Sequence, residues 1–367
     1  MDTVDQVDQL DELGFYTLAG APRSPHDLLG EVARAEEIGL GSAFISERYN
    51  IKEAATLSGA AAAVSSTLGL ATAATNHNTR HPLITASYAT TMHRLTDGRF
   101  TLGLGRGIEA MFAAYGIPRI TTAQMEDFAG LMRRLWKGEV ILGHDGPAGR
   151  FPVLHLDATF DEDIPLGLVA FGPNTLALAG RAFDMVVLHT FFTDETVQRC
   201  TATVRSAAEA AGRDPASVRI WSCYATVGDH LPEDLRLKKT VGRLATYLQG
   251  YGDLMVETNG WDPAVLARFR ADEVVSSVPG AIDAVADTET LRHIAGLLPD
   301  EWLEPAATGS PEHCAARVLR QFDLGVDGVI LHGATPDELT PVVAAYRAIR
   351  PGGRFDGWPA NPGRPRS

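Results

Sequence analysis

The chain has 367 residues, of which 45% are hydrophobic and 21% are charged, the composition of an ordinary globular protein with a large core. Its formal net charge of −14 argues against a general nucleic-acid or membrane-surface binder and leaves room only for a local basic pocket. The three cysteines, Cys200, Cys223 and Cys314, form no CxxC pair and no Cys/His ligand spacing. We therefore expect neither a disulfide framework nor a metal site.

Signals for export or membrane insertion are not recognisable in the sequence. The first residues, MDTVDQVDQLDEL, are acidic and lack the basic and apolar regions of a signal peptide. Apolar runs are interrupted by polar residues before they reach the roughly 18 residues of a membrane span. We expect a cytoplasmic protein.

Short apolar runs alternate with amphipathic stretches along the chain, a pattern typical of βα units around a parallel sheet. The predicted strands are 14–19, 42–46, 68–74, 100–105, 164–171, 184–189, 218–227 and 327–332. The predicted helices are 25–39, 52–66, 82–95, 121–136, 173–182, 193–211, 232–250 and 336–348. Eight such pairs in one chain favour an α/β protein of the (β/α)8 TIM-barrel class over a doubly wound sheet.

Three segments interrupt this rhythm. Residues 138–163 are predicted to form a hairpin-like insertion before the fifth strand, and residues 251–305 to form extra helices after the seventh. The tail 351–367 is rich in Gly, Pro and Arg and is predicted to be irregular, so that one barrel domain spans 1–350. Insertions of this kind usually shape the active-site face of a barrel.

Polar side chains follow several predicted strands, where a barrel carries its active site. The third strand ends in TNHNTRHP, which includes Asn76, His77, Arg80 and His81. His189 and His332 end the sixth and eighth strands. Polar side chains buried in a core need hydrogen-bond partners, whereas at the mouth of a barrel they can contact a ligand. We therefore predict that at least one of these histidines lines a ligand-binding site.

Two glycine-containing turns predict a site for a phosphate-bearing ligand. Gly103-Leu104-Gly105-Arg106-Gly107 follows the fourth strand, and Phe171-Gly172-Pro173-Asn174 follows the fifth. Glycines let the backbone approach an anion, and the following helix offers free N–H groups, although Pro173 has none. Arg106 adds a charge and a fork suited to phosphate. The fuller GxGxxG pattern with a downstream acid is missing, so a Rossmann site is not predicted.

Residues 68–107, with TRHP, LTDGRF and GLGRG in order, resemble the luciferase-like monooxygenase superfamily. The similarity is strongest to its actinobacterial branch of probable oxidoreductases that use the deazaflavin coenzyme F420, and residues 171–189 and 322–333 extend it. The resemblance implies a bacterial-luciferase-like barrel, often a homodimer, with the cofactor ring in the barrel mouth. It also implies a cis peptide bond between Ala73 and Ala74. The cofactor-binding residues expected on this basis are Ala73, Ala74, Thr75, Asn76, Gly105, Arg106, Gly107, Ile108, Gly172, Pro173 and Asn174.

The chain departs from the sugar-phosphate dehydrogenases of that branch at two catalytic positions. Where they carry a histidine base after the second strand, this chain has Arg48 next to Glu47. Where they carry an acid directly after the glycine turn, it has Ile108, with Glu109 one residue later. The candidate acid–base residues are therefore Glu47, His77 and His189, and Glu47 with Arg48 is equally compatible with a structural ion pair. Arg80 and His81 are expected to orient the ring or the third-strand loop.

These features predict an F420-dependent oxidoreductase that transfers a hydride between the deazaflavin and a small organic substrate. One alternative is an FMN-dependent monooxygenase that uses reduced flavin and O2, and another is a catalytically silent ligand-binding barrel. A barrel isomerase or aldolase would need a lysine or a metal set at the strand ends, where the sequence offers neither. No nucleic-acid or membrane partner is expected.

Overall fold

The computed structural model describes residues 8–366. Within these residues the strands are β1 (Leu10–Tyr16), β2 (Leu40–Ile45), β3 (Gly69–Thr72), β4 (Phe100–Leu104), β5 (Ile141–Gly146), β6 (Gly149–Leu154), β7 (Leu166–Val169), β8 (Met185–Val187), β9 (Arg219–Gly228), β10 (Ala307–Gly309) and β11 (Gly328–His332). All eight predicted barrel strands are present, and β5, β6 and β10 are additional.

Helices follow the strands in the order that the sequence predicts. They are α1 (Asp27–Glu37), α2 (Ala54–Val64), α3 (Pro82–Leu95), α4 (Glu109–Ala114), α5 (Thr122–Trp136), α6 (Pro173–Ala182), α7 (Asp194–Ala210), α8 (Glu233–Leu237), α9 (Arg243–Asn259), α10 (Pro263–Ala271), α11 (Glu273–Ser277), α12 (Ile282–Val285), α13 (Thr288–Leu297), α14 (Asp300–Leu303), α15 (Pro311–Gln321) and α16 (Pro336–Ile349). A π-helical turn, Lys238–Gly242, separates α8 from α9. No helix in the described part of the chain is long and apolar enough to cross a membrane.

The chain divides into two compact units. The first unit comprises residues 8–40, 188–201 and 221–356, and the second comprises 41–187, 202–220 and 357–366. In the first unit, β9 pairs in parallel with β10 and β11, and β11 pairs in parallel with β1. In the second, β2, β3, β4, β7 and β8 form a parallel sheet in that order. The prediction that residues 1–350 form a single domain stays a prediction.

Among the barrel strands, β1 differs most from its predicted boundaries. It spans Leu10–Tyr16, whereas the sequence predicted a strand over 14–19. Its sequence contains Glu12, a residue that does not indicate a buried strand. The Glu12 side chain is nevertheless fully buried, since its carboxylate accepts hydrogen bonds from Arg350 at 2.6 and 3.1 Å and from the Tyr346 hydroxyl at 3.2 Å. A buried carboxylate needs such partners, and they come from the far end of the chain.

Both predicted insertions are present. β5 and β6 form an antiparallel hairpin within 138–163, with His144 opposite Phe151. The second insertion begins with the C-terminal half of α9 and continues through α10 to α14. Helix α9 is not regular, since Tyr251 has non-helical backbone angles of φ −158° and ψ 40°.

The tail is irregular over 351–366, as predicted, but it is packed against the second unit by hydrogen bonds. Asn361 is buried, and its amide donates to the carbonyls of Gly98 and Phe100 at 2.6 and 3.0 Å. The Arg219 side chain, also fully buried, donates to the carbonyls of Pro359 and Asn361 at 3.1 and 3.0 Å. The tail therefore satisfies buried polar groups of the second unit.

Candidate functional site

The loops after β2 and β3 are joined by an ion-pair network centred on Glu47. Arg80 donates to the Glu47 carboxylate at 3.0 Å and also pairs with Glu53. Thr75 donates its hydroxyl to Glu47 at 2.5 Å, and the Ala54 N–H donates at 3.1 Å. With these partners the Glu47 side chain is only 3% exposed. The sequence left open whether Glu47 is an acid–base residue or forms an ion pair with Arg48. In the structure Glu47 does form an ion pair, but its partner is Arg80, on the loop after β3.

Thr75 and Asn76 are fixed against the end of β4. The Thr75 N–H donates to the Gly103 carbonyl at 3.0 Å, and the Gly105 N–H donates to the Thr75 carbonyl at 2.9 Å. Asn76 donates its amide to the Gly105 carbonyl at 2.8 Å and accepts a hydrogen bond from the Tyr49 hydroxyl at 2.7 Å. The structure thus brings four of the predicted cofactor-binding positions, Ala74 to Asn76 and Gly105, side by side.

The peptide bond between Ala73 and Ala74 is cis, as the resemblance implied. It directly precedes Thr75 and lies beside Gly105. A Cβ added to Gly105 would come within 2.8 Å of the Ala74 Cβ, so only glycine fits at that position without a shift. The small residues that the sequence places here are therefore required by the close approach of the two strand ends.

The glycines after β4 serve different purposes. A Cβ on Gly103 would overlap the Thr72 carbonyl oxygen of the neighbouring strand, so this glycine is needed for packing. Gly107 has φ +70° and lies against the Phe112 ring, so it is needed for the turn. The helix that follows, α4, has only six residues, and Ile108 precedes it as a 38% exposed side chain. The anion-binding contribution of this helix terminus is therefore small, and Arg106 is the main positive group.

Arg106 is held entirely by neutral acceptors. Its guanidinium donates to the Ile120 carbonyl at 3.0 Å and to the Thr122 hydroxyl at 2.6 Å. Its Nε is buried and has no acceptor within residues 8–366, and no acidic side chain there pairs with it. Burial lowers the pKa of Arg106, and nearby Arg119 adds to this effect. A half-buried guanidinium whose hydrogen bonds go only to neutral acceptors is stabilised by an anionic ligand.

His77 is a buried residue near this arginine. Its ring packs against Phe128 at a centroid distance of 5.0 Å, and its Nδ1 has no hydrogen-bond partner in the described part of the chain. Burial, with a contribution from Arg106, lowers its pKa to about 4. His77 is therefore neutral at pH 7, and its contacts are those of a packed side chain next to the candidate anion site.

The lowered pKa of His77 predicts an acid-dependent loss of stability. Between pH 6.5 and about 4 the unfolded state binds a proton at this residue and the native state does not, so stability falls as pH falls through this window. Each pH unit within it costs about 1.4 kcal/mol, and the full shift about 3 kcal/mol. We expect urea unfolding to show a shallower decline from pH 6 to pH 4.5 in His77→Asn than in wild type. Exposed His26→Asn is the control, and equal slopes in all three proteins would contradict the assignment.

The second predicted turn follows β7, which pairs with β4. Gly172 precedes α6 with open space where a Cβ would lie, and Pro173 is the first helical residue. Thr175 and Leu176 both donate their N–H groups to the Gly172 carbonyl, at 3.0 Å each. Since Pro173 has no N–H, the turn offers the N–H of exposed Asn174 as its donor for a ligand. The phosphate prediction for this turn thus rests on a single backbone donor.

His189 is the centre of an aromatic cluster in the first unit. Its Nδ1 lies 2.9 Å from the Thr190 carbonyl oxygen and its Nε2 lies 2.8 Å from the Tyr251 hydroxyl. The rings of Tyr247 and Tyr251 stand edge-on to the imidazole at centroid distances of 4.8 and 5.3 Å. Burial lowers the pKa of His189 to about 4, so this imidazole is also neutral at pH 7.

Several neighbours of the predicted residues were not identified from the sequence. Tyr247 and Tyr251 lie on α9, which was predicted only to residue 250 and without a kink. His332 stands edge-on to Tyr16 at the ends of β11 and β1, with a centroid distance of 5.5 Å. His81 accepts a hydrogen bond from the Leu83 N–H at 3.3 Å and so caps α3, while its expected role in orienting the ring or the loop stays a prediction. Within residues 8–366 no group of three or more His, Cys, Asp or Glu side chains is placed to hold a metal ion.

The strands and helices that carry these residues define a (β/α)8 barrel, as predicted. The fold matches the coenzyme F420-dependent tetrahydromethanopterin reductase from Methanopyrus kandleri with a TM-score of 0.76 at 20% identity, over 92% of this chain and 99% of that one. It also matches the oxygenating constituent of 3,6-diketocamphane monooxygenase of Pseudomonas putida, solved with FMN. That match has a TM-score of 0.61 at 19% identity, over 92% and 96% of the two chains.

The chain belongs to the luciferase-like monooxygenase family, whose model matches residues 10–328. Two relatives are each 28% identical to it. One is 5,10-methylenetetrahydromethanopterin reductase of Methanolobus tindarius, over 81% of this chain and 86% of that protein. The other is phthiodiolone/phenolphthiodiolone dimycocerosates ketoreductase of Mycobacterium bovis (strain BCG / Pasteur 1173P2), over 87% and 82%. The protein is an enzyme of the oxidoreductase class.

Proposed function

We propose that the protein is an F420-dependent oxidoreductase that transfers a hydride between the deazaflavin and a small organic substrate. The relatives are reductases, and one structural neighbour is described as coenzyme F420-dependent. When bound, the deazaflavin supplies or accepts the hydride at C5 of its ring. The residues of this chain bind and orient the two molecules and handle the proton.

Arg106 is the observation that carries the proposal. Among the described residues, 8–366, no carboxylate neutralises its charge, although it sits at the end of a central strand beside Gly105. The open space at Gly172 and the N–H of Asn174 follow the neighbouring strand. Together these groups suit a cofactor phosphate, while the small surface formed by Ala73 and Ala74 suits a planar ring.

The first test is a fluorescence titration of the purified protein with F420 and, separately, with FMN. Loss of a charge-assisted hydrogen bond of about 1.5–3 kcal/mol predicts that Arg106→Ala weakens F420 binding roughly 10- to 100-fold. Arg150→Ala is the matched control, because Arg150 is 84% exposed on the β5–β6 hairpin. We expect it to bind F420 like wild type.

Other outcomes of the titration separate the alternatives. Preference for FMN would favour a flavin-dependent monooxygenase that uses reduced flavin and O2. Binding of neither cofactor would contradict the proposal and favour a silent ligand-binding barrel. Tight F420 binding that Arg106→Ala leaves unchanged would contradict the role of Arg106 alone.

The proposal also covers the oligomeric state of the protein and its cellular location. We propose a cytoplasmic homodimer with a small-molecule substrate and without nucleic-acid or membrane partners. Sedimentation velocity of the full chain should give a mass twice that of one protomer, and a single species of monomer mass would contradict the dimer.

A further inference from the structure

A second cluster of arginines lies in the second unit, at the end of its sheet where the strands begin. It surrounds Asp184, which directly precedes β8 and accepts a hydrogen bond from the N–H of Leu166, the first residue of β7, at 2.9 Å. Strand β4 pairs in parallel with β7, and Arg106 follows the other end of β4. The cluster is therefore separated from Arg106 by about the length of a short strand, on the order of 13 Å.

The arginines line a cleft of about 440 Å³ beside helices α5 and α6. Glu126 and Arg133 lie two turns apart on α5, and Arg181 lies near the end of α6. Between Glu126 and Arg133, helix α5 carries Gly130, which has open space where a Cβ would lie. The small residue at this position leaves the cleft open to solvent.

The charges in the cleft do not balance. Among the described residues that line it, three carry a guanidinium and two carry a carboxylate. Arg181 donates to both oxygens of Glu126 at 2.8 and 2.6 Å, so that pair is neutral. Arg133 and Arg213 share the other carboxylate, that of Asp184, at 2.9 and 3.4 Å. One excess positive charge therefore remains, in a chain whose net charge is −14.

The excess charge resides on partly buried groups. The side chains of Arg213 and Asp184 are only 24% and 21% exposed. The other hydrogen bonds of Arg213 go to neutral acceptors, the carbonyls of Gly180 and Phe183, at 2.7 and 2.6 Å. Burial lowers the pKa of Arg213, an effect that Asp184 opposes and Arg133 reinforces. A partly buried guanidinium that shares its counter-ion is stabilised by a further anion.

Donors for such an anion are available on the same side chains. In the described part of the chain, Arg133 donates only through Nη2, to Asp184 and to the Ala182 carbonyl at 3.1 Å. Nε and Nη1 of Arg133, Nη1 of Arg181 and Nε of Arg213 have no acceptor within residues 8–366, and none of these atoms is closed off from solvent. Their N–H groups can donate to the oxygens of an anion.

We propose that this cleft binds a phosphate group, as the free ion or as the monoester of a small molecule, through Arg133, Arg181 and Arg213. The three arginines come from α5, α6 and the loop after α7, so their donors suit a tetrahedral group with several oxygens better than a planar carboxylate. The proposal is independent of the proposed function, because it involves neither Arg106 nor the cofactor. A ligand that binds the folded state alone also stabilises it.

The first test is a calorimetric titration of the full chain carrying Arg106→Ala, which removes the other candidate anion site. Inorganic phosphate and glycerol 3-phosphate are titrated separately at low ionic strength, because salt screens the interaction. We expect one ligand per chain, and the tighter binder identifies whether the cleft takes the free ion or a monoester. If neither binds, the proposal is wrong.

Adding Gly130→Glu to this protein should weaken binding at least about 10-fold, because it places a carboxylate in the cleft. Gly30→Glu is the matched control, since Gly30 is likewise an exposed glycine within a helix, α1, with open space where a Cβ would lie. It adds the same charge elsewhere and should leave binding unchanged. Equal affinities in the two variants would overturn the proposed location.

Chemical protection of the wild-type protein locates the ion without any variant. Phenylglyoxal modifies accessible guanidiniums, and peptide mass spectrometry identifies each modified arginine. At a phosphate concentration of about ten times Kd, we expect modification of Arg133 to slow roughly 10-fold relative to chloride at equal ionic strength. Arg150, whose side chain is 84% exposed, should react equally in both salts. An unchanged rate at Arg133 would overturn the proposal.

Discussion

Arg80→Ala is expected to destabilise the protein by about 3–5 kcal/mol, because it leaves a buried carboxylate without its cation. Glu47 has a 3% exposed side chain and Arg80 a 19% exposed one. Without Arg80, Glu47 would retain only the Thr75 hydroxyl and the Ala54 N–H. Since Arg80 also donates to the hydroxyl of Thr75, one of the expected cofactor-binding residues, at 2.8 Å, we also expect weaker F420 binding. Urea unfolding and the fluorescence titration measure the two effects.

Arg48→Ala is the matched control for this prediction. Arg48 is exposed and lies next to Glu47 in the sequence, which makes it the ion-pair partner that the sequence alone allows. Exposed charges contribute little to stability, so the change should cost less than about 0.5 kcal/mol. A double-mutant cycle with Glu47→Gln should give a large coupling energy for Arg80 and almost none for Arg48. Equal costs for Arg48→Ala and Arg80→Ala would contradict the network.

Asn361→Ala is expected to cost about 3–5 kcal/mol, an unusually large effect for a residue in an irregular tail. Its side chain accepts hydrogen bonds from the Thr101 hydroxyl at 2.6 Å and the Gly363 N–H at 2.9 Å, and donates two more to Gly98 and Phe100. Alanine would leave these buried groups without partners, at about 1–3 kcal/mol for each group that water cannot reach. The free energy of unfolding in urea is the measurement.

Arg364→Ala tests whether the effect is specific to the buried part of the tail. Arg364 lies three residues later, with a 38% exposed side chain that pairs with Asp163, itself 71% exposed. This surface pair should contribute no more than about 1 kcal/mol. A similar loss in Asn361→Ala and Arg364→Ala would indicate that any change in the tail disturbs the fold, and would contradict the role of the Asn361 hydrogen bonds.

The order of strands and helices, and the strand ends that carry polar groups, follow from the sequence alone. Apolar runs and amphipathic stretches are local patterns, so they predict β2 to β4 and α3 to within a few residues. The glycine turn after β4 is also a local pattern, although the sequence predicted an anion site from it, whereas in the structure Gly103 is needed for packing and Gly107 for a left-handed turn. The cis bond between Ala73 and Ala74 was implied by family resemblance and is present.

Only the tertiary structure decided which polar groups meet. Glu47 pairs with Arg80, 33 residues away, and not with its neighbour Arg48. Glu12 is buried because Arg350, 338 residues away, reaches it, and Asn361 is buried because the tail returns to β4. Tyr251 meets His189 across 62 residues through a kink that no pattern in α9 indicates. Burial makes a polar group bond to whatever lies close in space, and closeness in space is set by the packing of the whole fold.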